Sequence, residues 1–484
     1  MESLADNADR RADRVAAVVL TVFVVASGMG GAAVLHWASN VGADDAFWSP
    51  YPTMAYPRAW PGLVQLPDGD IMVVGGLSTG GPTATTEVFD IDEEQWIPGP
   101  TMSVPRVGHT TTLLEDGTVL AVGGETGDGA TASAEVIDLS EGVCYPLPDM
   151  ILSRFGHAAS MLPSGRVLVS GGSDGVTDKW SQAEIYDPGS QSWLPADAMS
   201  QPRQHFSMHL LENGEVIAVG GGPDAASELY DEAADSWHGE ADMLKKRICA
   251  ASILTPSGHV LVAGGIGDDY ELRSAEMYDP DEGLWFGTDS MRYTRAHFTL
   301  SLLDDGRILA AGSWSDLEGV SNTAELFCQC SMTWSTTTPM LSARGGHGAA
   351  LLPDGNVLLI GGRGVDGVTS STEQYTPPTL PPEPPPTPPP PYCEPKDILP
   401  FVALVADAMP GYSENGLVAK VLVAQKYFEE GDLGECLRVL DAFYNQVRAF
   451  LNNEHVDEEE VQMLYEAYAS VVDCLGGEPQ PEIP

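Results

Sequence analysis

Seven arginines of the 484-residue chain stand at one register: Arg58, Arg106, Arg154, Arg203, Arg247, Arg295 and Arg344, at intervals of 48, 48, 49, 44, 48 and 49 residues. A guanidinium is permanently charged, and its planar fork of donors fits a carboxylate or a phosphate. Seven at one level would form an anion-accepting ring. Seven glutamates recur in step, Glu87, Glu135, Glu184, Glu228, Glu276, Glu325 and Glu373, so each arginine could instead be neutralised inside its own copy. A buried arginine is seldom left unpaired, which makes the internal pair the simpler reading and the ring the sharper one. Histidine follows the arginine by two or three residues in five copies, at His109, His157, His205, His297 and His347. A metal centre needs a few converging ligands rather than one per copy, so these are expected to pack or hydrogen-bond between copies.

The residues around each arginine show what positions it. Methionine precedes it by four residues in every copy, from Met54 to Met340. A two-residue turn follows in every copy, among them Asp68-Gly69, Ser164-Gly165 and Asn213-Gly214, a strong hairpin signal because a tight turn between twisted strands needs positive φ. A short apolar run such as "TVLAV" comes next, as expected of a strand buried on both faces, and a double glycine ends it in six copies, with Gly312-Ser313 in the other. A third strand reads "TEVFD", "AEVID" or "AEIYD", and a tryptophan six residues after its closing acid marks a fourth (Trp96, Trp193, Trp237, Trp285 and, after Cys328, Trp334).

These motifs resemble the kelch repeat in its bacterial, galactose-oxidase-like form. The resemblance implies an all-β fold, a seven-bladed β-propeller over residues 45–376. The seventh copy lacks a fourth strand. Trp48 precedes Met54 by the usual six residues, so residues 46–54 are expected to close the last blade. Loops between the second and third strands vary most and share a face with the arginines. They carry Trp180, Tyr270, Trp314 and Arg363; the flat aromatic rings suit sugar stacking or protein anchoring, unless Trp180 and Trp314 fold over neighbouring blades. Copper-radical chemistry of the galactose oxidase type needs two tyrosines, two histidines and a cysteine linked to a tyrosine. Tyr293, His297 and Cys249 lie near strand starts, but neither paired histidines nor a second tyrosine is evident, so no catalytic or metal residue is assigned. Copper is left open as a cofactor, as is calcium, although no DxDxDG spacing occurs. Cys328 and Cys330 read as a local disulfide or free thiols.

The chain carries 70 acidic and 23 basic residues, only six of them lysine, for a net charge of −47. Such a surface repels phosphate backbones and argues against nucleic-acid binding. The propeller holds 46 acidic and 15 basic residues. Residues 1–14 read as a cytoplasmic tail and 15–36 as an apolar transmembrane anchor or signal segment, with arginines before it and acids after it. Residues 377–391, with eleven prolines, predict a polyproline spacer. Helical periodicity over 392–476 predicts a small α-helical bundle, in which the stretch "NGLVAKVLVAQ…LDAFYNQVRAF" resembles the FIMAH domain, followed by a disordered tail, 477–484. Cys393, Cys436 and Cys474 fall at one end of such a bundle, with Cys436 to Cys474 the simplest disulfide. The expected protein is exported or at the cell surface. Its propeller would bind a protein or glycan on the loop face, with a copper radical oxidase or other carbohydrate-active enzyme as the alternative.

Overall fold

The computed structural model describes residues 46–378, apart from 177–178, 269 and 316–318. The apolar segment 15–36, nearly all of the proline-rich spacer, the helical region and Cys436 and Cys474 lie outside the described residues. Every element described is a strand.

Seven four-stranded antiparallel sheets make the seven blades. The second blade shows the pattern: Thr110–Leu113, Val119–Val122, Ala134–Asp138 and Val143–Pro146, paired in sequence order. The first strands of successive blades neighbour one another around a complete circle and line the central axis. The second strands are buried along their length, as Ile71–Val74, Val119–Val122 and Val357–Ile360 illustrate. Apolar clusters form mainly between neighbouring blades: Leu120 and Val122 of blade two pack with Val167, Val169 and Tyr186 of blade three. In all seven hairpin turns the second residue is a glycine with φ between 80° and 99°, as the turn chemistry requires.

The last blade is closed by the start of the propeller. Phe47–Tyr51 pairs with Thr372–Thr376, with Trp48 opposite Tyr375. Their rings lie 4.8 Å apart, and the Trp48 indole donates to the Thr338 carbonyl of the preceding blade at 2.8 Å.

Two further sets of bonds join blade to blade. The double glycine supplies one. In every blade the N–H of its second position donates to the carbonyl of the next register arginine, from Gly76 to Arg106 (2.8 Å) round to Gly362 to Arg58 (2.8 Å). A Cβ on the first glycine, such as Gly123, would lie 2.6 Å from the Arg154 carbonyl oxygen, so only glycine admits this approach. The outer-strand tryptophans supply the other. Trp96, Trp193 and Trp237 stack on Phe89, Tyr186 and Tyr230 within their own blades, while their indoles reach the carbonyls of Pro52, Pro148 and Asp197 in the chain leaving the previous blade. Trp96→Phe keeps the stack and removes the bond, so it is expected to cost about 1 kcal/mol in a urea titration. A loss above ~3 kcal/mol would mean that the indole does more than this.

Candidate functional site

The seven register arginines are fully buried, and each pairs with the third-strand glutamate of its own blade at 2.9 Å or less. Arg106 is representative. Its Nη1 donates to the carbonyls of Gly123 (2.8 Å) and Ser133 (3.0 Å), and its Nη2 to Glu135 (2.9 Å). The same carboxylate accepts the N–H groups of Ser103 (2.7 Å) and Val104 (3.1 Å), pinning the segment that carries the chain from one blade to the next. Burial lowers the pKa of the Arg58, Arg106, Arg154, Arg295 and Arg344 guanidinium groups, and the paired glutamates oppose it. The anion-accepting ring is therefore corrected: Arg58, Arg106, Arg154, Arg203, Arg247, Arg295 and Arg344 have no surface to offer a ligand, because each guanidinium is fully buried and its two terminal nitrogens are bonded inside its own blade.

What reaches the axis is the residue two positions later. Trp60, Gly108, Gly156, His205, Cys249, His297 and Gly346 all have left-handed backbone, with φ between 48° and 63°. Their peptide groups form a nearly continuous circle of hydrogen bonds: Trp60 N–H to Gly346 O (2.6 Å), Gly346 to His297 (2.7 Å), His297 to Cys249 (3.2 Å), Cys249 to His205 (3.1 Å), His205 to Gly156 (2.8 Å) and Gly156 to Gly108 (2.8 Å). Glycine suits this conformation. Tryptophan, histidine and cysteine adopt it at a cost on the order of 1 kcal/mol each. Two of the three glycines make room for these side chains: a Cβ on Gly346 would lie 2.6 Å from the Trp60 ring, and one on Gly156 2.9 Å from His205.

The bulky residues converge. Trp60 Nε1 lies 3.3 Å from His297 Nδ1, and the His297 ring lies 6.4 Å from that of His205. Trp314, expected in a loop, lies instead near the end of the long second strand of blade six, Ile308–Ser315, paired with Val320, and packs edge-on against Trp60 (5.6 Å) and His297 (5.4 Å). The exposed Arg363 stacks over Trp314 at 5.3 Å and has no ion-pair partner among the described residues. Phe155 meets His205 at 6.2 Å. The result is an aromatic floor at the mouth of the axis, with imidazoles and one guanidinium at its rim.

Of the loop residues expected to bind, Trp314 and Arg363 belong to this cluster. Trp180 and Tyr270 do not: Trp180 is half-buried with its indole bonded to Ser153 O (3.1 Å), and Tyr270 stands 62% exposed on blade five. The five histidines also divide. His109, His157 and His347, three residues after the arginine, are buried between blades, where His157 and His347 bond Thr110 and Thr299 at 2.9 Å. His205 and His297, two residues after it, face the axis, where they too pack and bond between blades: His297 against Trp60 and Trp314, His205 against Phe155. The signal was the column of glycines at 108, 156 and 346.

The cluster does not fit a copper-radical centre. No tyrosine packs with its two histidines among the described ring contacts. Tyr293 points elsewhere, 40% exposed beneath the Arg292 guanidinium. Among the described residues no three His, Cys, Asp or Glu side chains are arranged to hold a metal ion.

Residues 65–103 match the Kelch motif, and they span the first blade from its inner strand onward. The chain is a kelch-repeat, seven-bladed β-propeller. The kelch propeller is similar to Kelch-like protein 26 of Danio rerio, 27% identical over 205 residues, 40% of this chain and 33% of that one. It is also similar to an F-box/kelch-repeat protein of Arabidopsis thaliana, 24% identical over 143 residues, 26% and 40% of the two chains. The chain thus spans only about a third of the length of the curated relatives it matches. Among solved structures, a fungal alcohol oxidase of the AA5 family in complex with copper superposes with a TM-score of 0.57 at 20% identity, over 69% of this chain and 77% of that one. That likeness is one of fold.

Proposed function

We propose that this kelch propeller is a non-catalytic binding module whose protein or glycan ligand docks on the loop face, centred on Trp60, His205, His297, Trp314 and Arg363. The observation that carries the reading is the strained backbone at the axis. Three blades place glycine there, and four retain side chains that the conformation disfavours. Strain of this kind is concentrated at ligand clamps, and aromatic rings with an unpaired arginine are the usual anchors of a binding patch. The apolar segment 15–36 supports placing the module outside the cell, held at the membrane or released.

The test is binding of the full chain to an array of immobilised glycans and to captured protein partners, followed by substitution at the axis. His297→Gly and Trp60→Gly relieve the left-handed strain, so the melting temperature is expected to stay within about 3 °C. Affinity is expected to fall at least tenfold, on the order of 1.4 kcal/mol or more. Unchanged affinity in both variants removes the axis from the reading. One copper per purified chain with peroxide release on adding galactose replaces the binding module with an oxidase.

A further inference from the structure

Five blades close the turn between their third and outer strands in the same way. The final aspartate of the third strand accepts N–H groups from the residues two or three positions on: Asp138 from Ser140 (2.9 Å) and Glu141 (3.0 Å), Asp187 from Gly189 (2.8 Å), Asp231 from Ala233 (2.8 Å), Asp279 from Asp281 (3.0 Å) and Asp90 from Glu93 (2.9 Å). Blade six has Cys328 at that position, opposite Thr333 as Asp279 is opposite Leu284. A disulfide runs from Cys328 to Cys330, the residue two positions on. The covalent bond stands where its sister blades use a hydrogen bond.

We propose that the Cys328–Cys330 pair is a thiol–disulfide exchange site that accepts electrons from low-molecular-weight or protein dithiols, rather than a staple of the fold. Three observations converge on it. The bond spans a separation of two residues, so it restricts the unfolded chain far less than a long-range disulfide. The turn it crosses is held without it, by the strand pairing of Glu325–Cys328 with Thr333–Thr336, by Gln329 Nε2 donating to Gly306 O (2.7 Å) and by the Ser331–Thr333 hydroxyl pair (2.6 Å). Cys330 is exposed on the outer rim, open to an attacking thiolate, whereas Cys144 and Cys249 are half-buried and carry raised thiol pKa values. Exposed disulfides of this kind are the labile ones.

The exchange balances. One thiolate of the dithiol bonds to the Cys330 sulfur, the Cys328–Cys330 bond breaks, and Cys328 leaves as a thiolate that takes up a proton. The second thiol of the reagent, as its thiolate, displaces Cys330 from the mixed disulfide. The dithiol departs as a disulfide and two protons and two electrons have passed to the protein. This site lies away from the axial cluster and does not depend on the ligand proposed there.

The oxidised full chain is treated with dithiothreitol in native buffer, quenched with an alkylating reagent at intervals and mapped by peptide mass. The expected result is a doubly alkylated 328/330 peptide within minutes, with the melting temperature of the reduced protein within about 3 °C of the oxidised one. The double variant Cys328→Asp, Cys330→Ser, which installs the cap used by the other blades, is expected to melt within the same range. Resistance to reduction until the protein unfolds, or a larger fall in melting temperature on reduction, overturns the proposal and makes the bond structural.

Discussion

Glu135→Ala is expected to lower the free energy of unfolding by about 3–5 kcal/mol, read as a shift in urea midpoint. The carboxylate it removes is the counter-charge of Arg106, which has no access to water. The substitution leaves a buried guanidinium with two carbonyl partners and no anion. It also frees the N–H groups of Ser103 and Val104, so the segment joining blades one and two loses its anchor. Breaking one side of a buried pair costs more than the pair is worth, because the surviving charge stays desolvated. Glu135→Gln, which keeps the shape and an acceptor but not the charge, is expected to fall between wild type and alanine. A loss below about 1 kcal/mol for the alanine variant would contradict the assigned role and reopen the arginines to a ligand.

Acid is expected to unfold the propeller from about pH 6 downward, well above the ordinary carboxylate range. Burial lowers His109 and His347 to about 3 and His209 to about 4, and moves His157 strongly in the same direction. These imidazoles are neutral in the fold, whereas the unfolded chain takes up protons near pH 6.5. Below that pH the unfolded state binds more protons, so stability falls as pH falls, by up to about 1.4 kcal/mol per pH unit for each histidine until its folded pKa is reached. The contribution is fully present above pH 6.5. Urea midpoints measured from pH 8 to pH 4 should be flat and then drop. The repeat itself supplies the control: Phe206 and Phe298 occupy the register of His157 in blades four and six, with ring atoms in the same place against a first glycine. His157→Phe gives up the Thr110 bond but should flatten the acid limb by about one proton. An acid limb of unchanged slope in that variant would exclude the histidine.

Most of the fold was legible because every structural device is written seven times. The glycine of each hairpin turn, the arginine and its glutamate could be aligned by spacing alone, and Trp48, six residues before a methionine, identified the strand that closes the circle. The site was less legible. A count of histidines "two or three" residues after the arginine merges two populations. The backbone turns left-handed at the second position, which aims His205 and His297 at the axis, and enters the inner strand at the third, which sends His109, His157 and His347 between blades. Trp60 escaped notice because tryptophan is also the outer-strand residue of the repeat. Trp314 and Arg363 were read as loop residues, but the second strand of blade six runs on through Trp314 and Arg363 begins a short hairpin, and their meeting depends on these extensions of two adjacent blades, which no local spacing encodes.

The pairing of Phe47 with Thr376 bears on how the molecule is made. The first strand of the propeller to leave the ribosome is held in reserve while roughly 330 residues are added, and its partner is nearly the last piece of the propeller to emerge. Blades one to six contain all their own strands and can assemble as they are synthesised. The seventh cannot, and until it does, the nascent protein is a crescent with a bare edge at each end. At high concentration the bare edge of one crescent is satisfied equally well by the leading strand of another, so dilution during refolding selects the closed monomer over chains linked by exchanged strands.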